Sequence, residues 1–294
     1  MNKGIWYGIA SYALWGILPV YWKALHSVPS LEIVANRLSW SLIFLVILIT
    51  VRKEWAAWKG LLNRKTLLVY LGASVFLSVN WLVYIWSVNH GYIVEASLGY
   101  FINPLVNVLL AIVFLKETLT PTKWIAIGLA AVGVIYLTFN YGAFPWIALA
   151  LALSFGIYGL IKKLSPLGSL QGLTMETGIL FLPAVAYLGV LQIQGIGSYG
   201  QVSPLETVLL ILSGVITAIP LLLFASAARS IPLSTMGLLQ YVSPTLQFLL
   251  GVFVYHEAFN SHQLIGFCVI WAALIVFTAG SFLESRRSVQ AAVR

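Results

Sequence analysis

Hydrophobic residues run along this chain in long unbroken stretches, and polar positions are confined to short breaks between them. Segments such as 42–49 and 67–71 are apolar on every side, whereas strands of a membrane barrel alternate apolar and polar residues over segments of roughly ten. A helix that crosses the hydrocarbon core needs about 20 mostly apolar residues, because its backbone must satisfy its own hydrogen bonds there. The pattern predicts ten such helices, at residues 4–22, 31–51, 66–88, 94–115, 122–140, 144–161, 171–191, 205–226, 233–254 and 262–282. The expected fold class is an all-α integral membrane protein.

Composition points the same way. The 294 residues are 61% hydrophobic and 8% charged, with mean hydropathy +0.97, more apolar surface than one soluble core can take in. The first apolar run, after Lys3, is aromatic-rich and lacks a small-x-small cleavage site, so it is expected to stay in place as a span. A single cysteine, Cys268, excludes an internal disulfide. The net charge of +8 reports topology rather than an acidic partner. If the N-terminus is cytoplasmic, fourteen of the sixteen basic residues fall on the inner side, Lys23 lies outside, and Arg37 lies within a span. The positive-inside rule then places both termini in the cytoplasm of a multi-pass inner (plasma) membrane protein. Nucleic-acid binding is not needed to explain the charge.

Sliding the first half of the chain onto the second by 140 residues aligns all five spans without a gap. Trp6 meets Trp146, Gly16 meets Gly156, Lys23 meets Lys163, Leu98 meets Leu238, Pro104 meets Pro244 and Glu117 meets Glu257. Each half contains an odd number of spans, so the second must enter the membrane from the opposite side. This predicts two inverted five-helix repeats, residues 1–140 and 141–283, followed by a basic cytoplasmic tail at 284–294. Such repeats can exchange roles across the membrane, with a solute held between them near the midplane.

The stretches 80–89, 95–107, Asn36-Arg37 to Ser41, 154–159 and 240–245 resemble the RarD group of the EamA-type drug/metabolite transporter superfamily, and the likeness extends over nearly the whole chain. It implies a ten-helix inner-membrane carrier that exports metabolites or drugs. No phosphate-binding Gly-x-x-x-x-Gly-Lys-Ser/Thr stretch is present, so the energy is expected from an ion gradient such as protons, an exchanged solute, or the solute's own gradient.

Polar groups within spans are expensive unless they meet partners or water, which makes them pointers to a pathway. Arg37, with Asn36 beside it, is expected about 9 Å inside the second span at 1.5 Å per residue. Glu95 or Glu32 could pair with it, either stapling helices or forming an outer gate or an anchor for an anionic group. Glu176, which the repeat places over Asn36, could carry protons for coupling, snorkel to the interface or cap its helix. Pro104 and Pro244 remove amide donors in the fourth and ninth spans and would free the carbonyls of Tyr100 and Gln240. Around them gather Tyr100, Asn103, Asn107, Gln240, Tyr241 and Gln247, either lining a cavity or bonded between helices. Asn80, with Trp15, Trp81, Tyr84 and Tyr158, would supply an amphipathic aromatic lining. Gating or coupling falls to Glu95, Glu176, Pro104 and Pro244. Glu117 and Glu257 are expected to terminate helices or anchor loops.

A membrane-embedded enzyme has little to support it. The chain has no Asp, and His26, His90, His256 and His262 form neither a His-Glu-x-x-His site nor a metal cluster, so no cofactor is called for. The expectation is a carrier for a small-molecule solute, not an enzyme, with a lipid flippase as its rival within transport.

Overall fold

The structure, a computed structural model, describes residues 3–55, 63–89, 93–141, 144, 146–254 and 261–292. Every regular element among them is a helix: α1 (Lys3–Lys23), α2 (Ser30–Val51), α3 (Arg64–Asn89), α4 (Ile93–Leu115), α5 (Pro121–Tyr141), α6 (Trp146–Leu164), α7 (Ser169–Ile193), α8 (Pro204–Ser230), α9 (Leu233–Leu239), α10 (Val242–Leu249), a single π-helical turn (Leu250–Val254) and α11 (Ser261–Ala292). Local chemistry sets the helix ends. Lys53 and Lys116 end α2 and α4 with φ of 55° and 52°. Pro121 opens α5, where a missing N–H costs nothing. Ser203 and Glu206 close a reciprocal capping box on α8.

Six of these helices are long and apolar enough to cross a membrane, at Ser30–Val51, Arg64–Tyr84, Pro121–Asn140, Trp146–Leu164, Ser169–Ile193 and Pro204–Ser230. Large apolar side chains such as Phe139, Leu182 and Ile193 face outward, a surface suited to lipid rather than water. The chain is thus an all-helical, multi-pass membrane protein.

The ninth expected span, 233–254, is not one helix. It breaks after α9, restarts at Val242 and ends in the π turn. The carbonyl of Gln240 is not freed by Pro244 as expected, because the chain tightens at the break and the Ser243 N–H donates to it at 3.1 Å. Pro104, by contrast, sits inside an uninterrupted α4.

Helix packing follows a regular scheme. α4 lies against α6, and α1 against α10; α3 lies against α6, and α1 against α8; α3 lies against α7, and α2 against α8. Adding 140 to one member of each couple and removing it from the other converts the first contact into the second. Individual contacts obey the same exchange. Ser11 Oγ donates to the Pro220 carbonyl at 2.8 Å, and Asn80 Nδ2 to the Leu151 carbonyl at 3.0 Å. A Cβ on Gly16 would lie 2.7 Å from Leu246 Cβ, and one on Gly156 2.7 Å from Val106 Cγ1, so glycine is what lets each helix pair close. Tyr241 donates to the carbonyl of its counterpart Phe101 at 3.2 Å. α5 and α11 pair at one flank and reach the rest through Phe101, Leu238 and Tyr241.

Candidate functional site

Short connections make successive helices antiparallel, which gives the bundle two ends. One carries the 24–29 and 194–203 connections; the other carries 116–120, 165–168 and 231–232. A cavity of about 340 Å³ opens at the first end, lined by Trp22, Lys23 and His26, by Ile33 and Arg37 of α2, and by Tyr84 of α3. Arg37 donates from Nε to Thr217 Oγ1 of α8 at 2.8 Å. Its guanidinium carbon stands 4.5 Å from the centre of the Trp22 ring and 4.8 Å from that of Trp81, an attraction between a cation and the negative ring faces. Tyr84 and Tyr100 meet edge to face beside it, with centroids 5.8 Å apart.

The expected pairing of Arg37 with Glu32 does not occur. Five residues along a helix turn the side chains about 140° apart, and buried Glu32 instead accepts from the Ser198 amide and hydroxyl, both at 2.7 Å. The Glu95 side chain lies outside those described. Among the described residues no carboxylate comes within 4.0 Å of Arg37. Neighbouring Asn36 accepts from the Tyr199 hydroxyl, whose oxygen in turn accepts from the Trp40 indole N–H at 2.9 Å. Burial holds that phenol above its ordinary pKa, so it stays a neutral donor.

Amide side chains occupy the middle of the bundle. Asn80 also donates to Ser154 Oγ at 3.1 Å, and Asn103 Nδ2 donates to the Ala152 carbonyl at 2.7 Å. Asn107 Nδ2 bridges Asn103 Oδ1 at 3.1 Å and Gln240 Oε1 at 3.0 Å, while its own Oδ1 is buried without a hydrogen-bond partner among the described residues. Gln247 Nε2 reaches the Trp15 carbonyl at 3.3 Å.

Toward the opposite end, aromatic and ion-paired side chains pack together among the described residues. Tyr12, Trp15, Phe155, Tyr158 and Phe224 form one aromatic cluster, with Tyr158 and Phe224 stacked at 6.0 Å. Beyond it Lys162 Nζ donates to Glu176 Oε1 at 2.8 Å, and the Tyr158 hydroxyl to Oε2 at 3.1 Å. The Lys162 and Glu176 side chains are 2% and 0% exposed, so the expectation that Glu176 snorkels or caps is overturned. Lys162 supplies the counter-charge and Tyr158 a further hydrogen bond, the compensation that a buried carboxylate requires. Lys163 donates to the Ala228 and Ile231 carbonyls, Arg229 to those of Ser165 and Leu167, and Glu117 accepts from the Leu233 and Ser234 amides. Glu117 thus caps α9 from a distance, a loop-anchoring role in line with its expected place, while Glu257 lies outside the described residues.

Comparison with known proteins identifies this arrangement. Residues 2–139 match the EamA-like transporter family. The chain is 47% identical to an uncharacterized transporter, YojE, of Bacillus subtilis (98% of this chain, 97% of the relative). It is 45% identical to Protein RarD of Streptomyces exfoliatus (98% and 91%) and 39% identical to Protein RarD of Escherichia coli (98% and 97%). The chain belongs to the EamA-like transporter family. A crystal structure 18% identical shares the fold, with a TM-score of 0.71 over 94% of this chain and 98% of its own. This EamA-like transporter is therefore a multi-pass inner-membrane protein of the drug/metabolite transporter kind.

Of the residues singled out from sequence, Arg37, Trp81, Tyr84 and Tyr100 stand together beside the cavity. Asn103, Asn107 and Gln240 form one hydrogen-bonded ladder, and Trp15 and Tyr158 join the aromatic seal. Asn80 is separately engaged between α3 and α6. Sequence reasoning missed Trp22, Thr217 and Lys162. Lys162 had a readable signal, since Tyr158 lies one turn before it on the same face of α6. Trp22 and Thr217 had none, because each reaches Arg37 from a different helix.

Proposed function

We propose that this EamA-like transporter is a secondary-active carrier that exports small organic metabolites or drugs. In this reading ten helices form two inverted halves, 1–140 and 141–283, with α9, α10 and the π turn acting together as the ninth span. Both termini are cytoplasmic, so the cavity beside Arg37 faces outward. The observation that carries the reading is the contrast between the ends among the described residues: a cavity at one, an aromatic and ion-paired cluster at the other, on helices whose contacts interchange under a shift of 140 residues. Two nearly equivalent packings of such halves would open each end in turn. Glu176 and Lys162 would then separate during inward opening, and a proton or an exchanged solute would supply the drive. The relatives named as transporters support transport itself.

The test is flux and tracer exchange by the purified protein in sealed liposomes, with pooled polar and amphipathic metabolites and with or without an imposed pH gradient. Saturable flux that falls in a folded Asn80→Ala/Asn103→Ala variant is the expected result. Absence of flux for every solute, together with stimulated lipid flipping, would replace the carrier by a flippase.

A further inference from the structure

Resting on the carrier reading, we propose that the solute is a small organic anion, a carboxylate on an aromatic or branched apolar body, docked on Arg37 in the outer cavity. Three observations converge on this class. First, among the described residues the cavity lining includes the Arg37 guanidinium and no Asp or Glu, so the field at that group favours an anion. Second, the guanidinium is presented in one orientation. The rings of Trp22 and Trp81 lie 4.5 and 4.8 Å from it, and Nε is bonded to Thr217. Among the described residues, what remains for a ligand is the terminal edge with the two Nη groups, whose parallel N–H bonds fit the two oxygens of a carboxylate. Third, much of the rest of the cavity wall is apolar or aromatic: Leu25, Val28, Ile33, Val34 and Tyr84, with Ser30. Inorganic phosphate or sulfate would leave those walls unfilled, whereas an aromatic or branched body removes them from water. A volume of about 340 Å³ suits a single-ring solute at the lower end of small-molecule sites.

The position also explains how such a solute would be sensed. Arg37 sits on α2 and its anchor Thr217 on α8, while Trp22 and Trp81 belong to α1 and α3. A carboxylate on the guanidinium therefore bears on helices from both halves of the chain at once, the condition for binding to bias their relative packing.

The experiment uses pairs of isosteres on the full-length protein in detergent: phenylacetate against phenylacetamide, and 4-methylpentanoate against its amide, with inorganic phosphate as the polar anion. Tryptophan fluorescence reports occupancy through Trp22 and Trp81, and thermal stabilisation serves as a second readout. Preference for each acid over its amide by roughly tenfold or more, weak response to phosphate, and loss of the preference in Arg37→Gln are expected. Arg37→Lys keeps the charge without the planar fork and should recover only part of it. Equal response to acid and amide, or an acid preference unchanged in Arg37→Gln, overturns the proposal. The wild-type comparison decides even if the variants fold poorly. Saturable liposome flux of neutral solutes without acid preference would sink the anion site while leaving the carrier standing. Acid-selective binding without any flux would do the reverse.

Discussion

Arg37 and Lys162 are both basic residues inside the bundle, yet they are treated in opposite ways. Lys162 has a carboxylate at 2.8 Å, a tyrosine donating to the other oxygen of that carboxylate, and 2% exposure. Arg37 has a threonine hydroxyl, two indole faces and a cavity. The first charge is neutralised by the protein and belongs to a seal. Among the described residues the second is oriented by neutral partners, so its charge is open to something that enters. A charge in an apolar surround demands compensation; where the fold supplies it, the site is structural, and where the fold supplies only orientation, a solute can complete it.

Substitutions can break or sharpen that contrast. The largest effect is expected for Glu176→Gln, which leaves Lys162 buried without its counter-ion and should lower stability by about 3–5 kcal/mol, read as thermal unfolding in detergent. Adding Lys162→Met should restore most of the loss; failure to do so would mean that the pair is not what Glu176 contributes. Next come Gly156→Ala and Gly16→Ala, whose new methyl groups meet Val106 and Leu246 at 2.7 Å. Each should cost about 1–3 kcal/mol through overpacking. Similar losses at both would strengthen the equivalence of the two helix pairs, and a loss at one alone would weaken it. Glu117→Gln should reduce stability by about 1 kcal/mol, the usual size of a lost cap. Smallest is Arg37→Gln, at about 1 kcal/mol or less, because the lost cation–ring attraction is offset by the released burial of charge. A loss there as large as for Glu176→Gln would erase the distinction between seal and site.

The difference between α4 and its counterpart shows how far local rules reach. Both contain a mid-span proline, and sequence reading treated Pro104 and Pro244 alike. Yet α4 runs unbroken, while the other segment splits at Gln240–Tyr241. A proline removes the same donor in both places. Whether the helix continues depends on neighbours: Gly237 lets the Pro104 carbonyl come within 2.7 Å of where a Cβ would stand, and the Tyr241 hydroxyl bonds to Phe101 across the break. The Arg37 surroundings tell a similar story. Its place on the second helix was legible in the sequence, but the choice among Glu32, Glu95 and a hydroxyl on α8 depended on helix rotation, which near-uniform apolar helices do not encode in one dimension.

Residue order alone determined the helical class, the positions of the long apolar helices and the constant 140-residue correspondence, because each is written in stretches of neighbouring residues. Only the tertiary structure decided that Lys162 meets Glu176, that Trp22, Trp81 and Thr217 hold Arg37, and that Glu32 turns to Ser198. Those pairings join residues up to 180 positions apart, and with apolar side chains on all faces, it is close packing between helices that selects which polar groups meet.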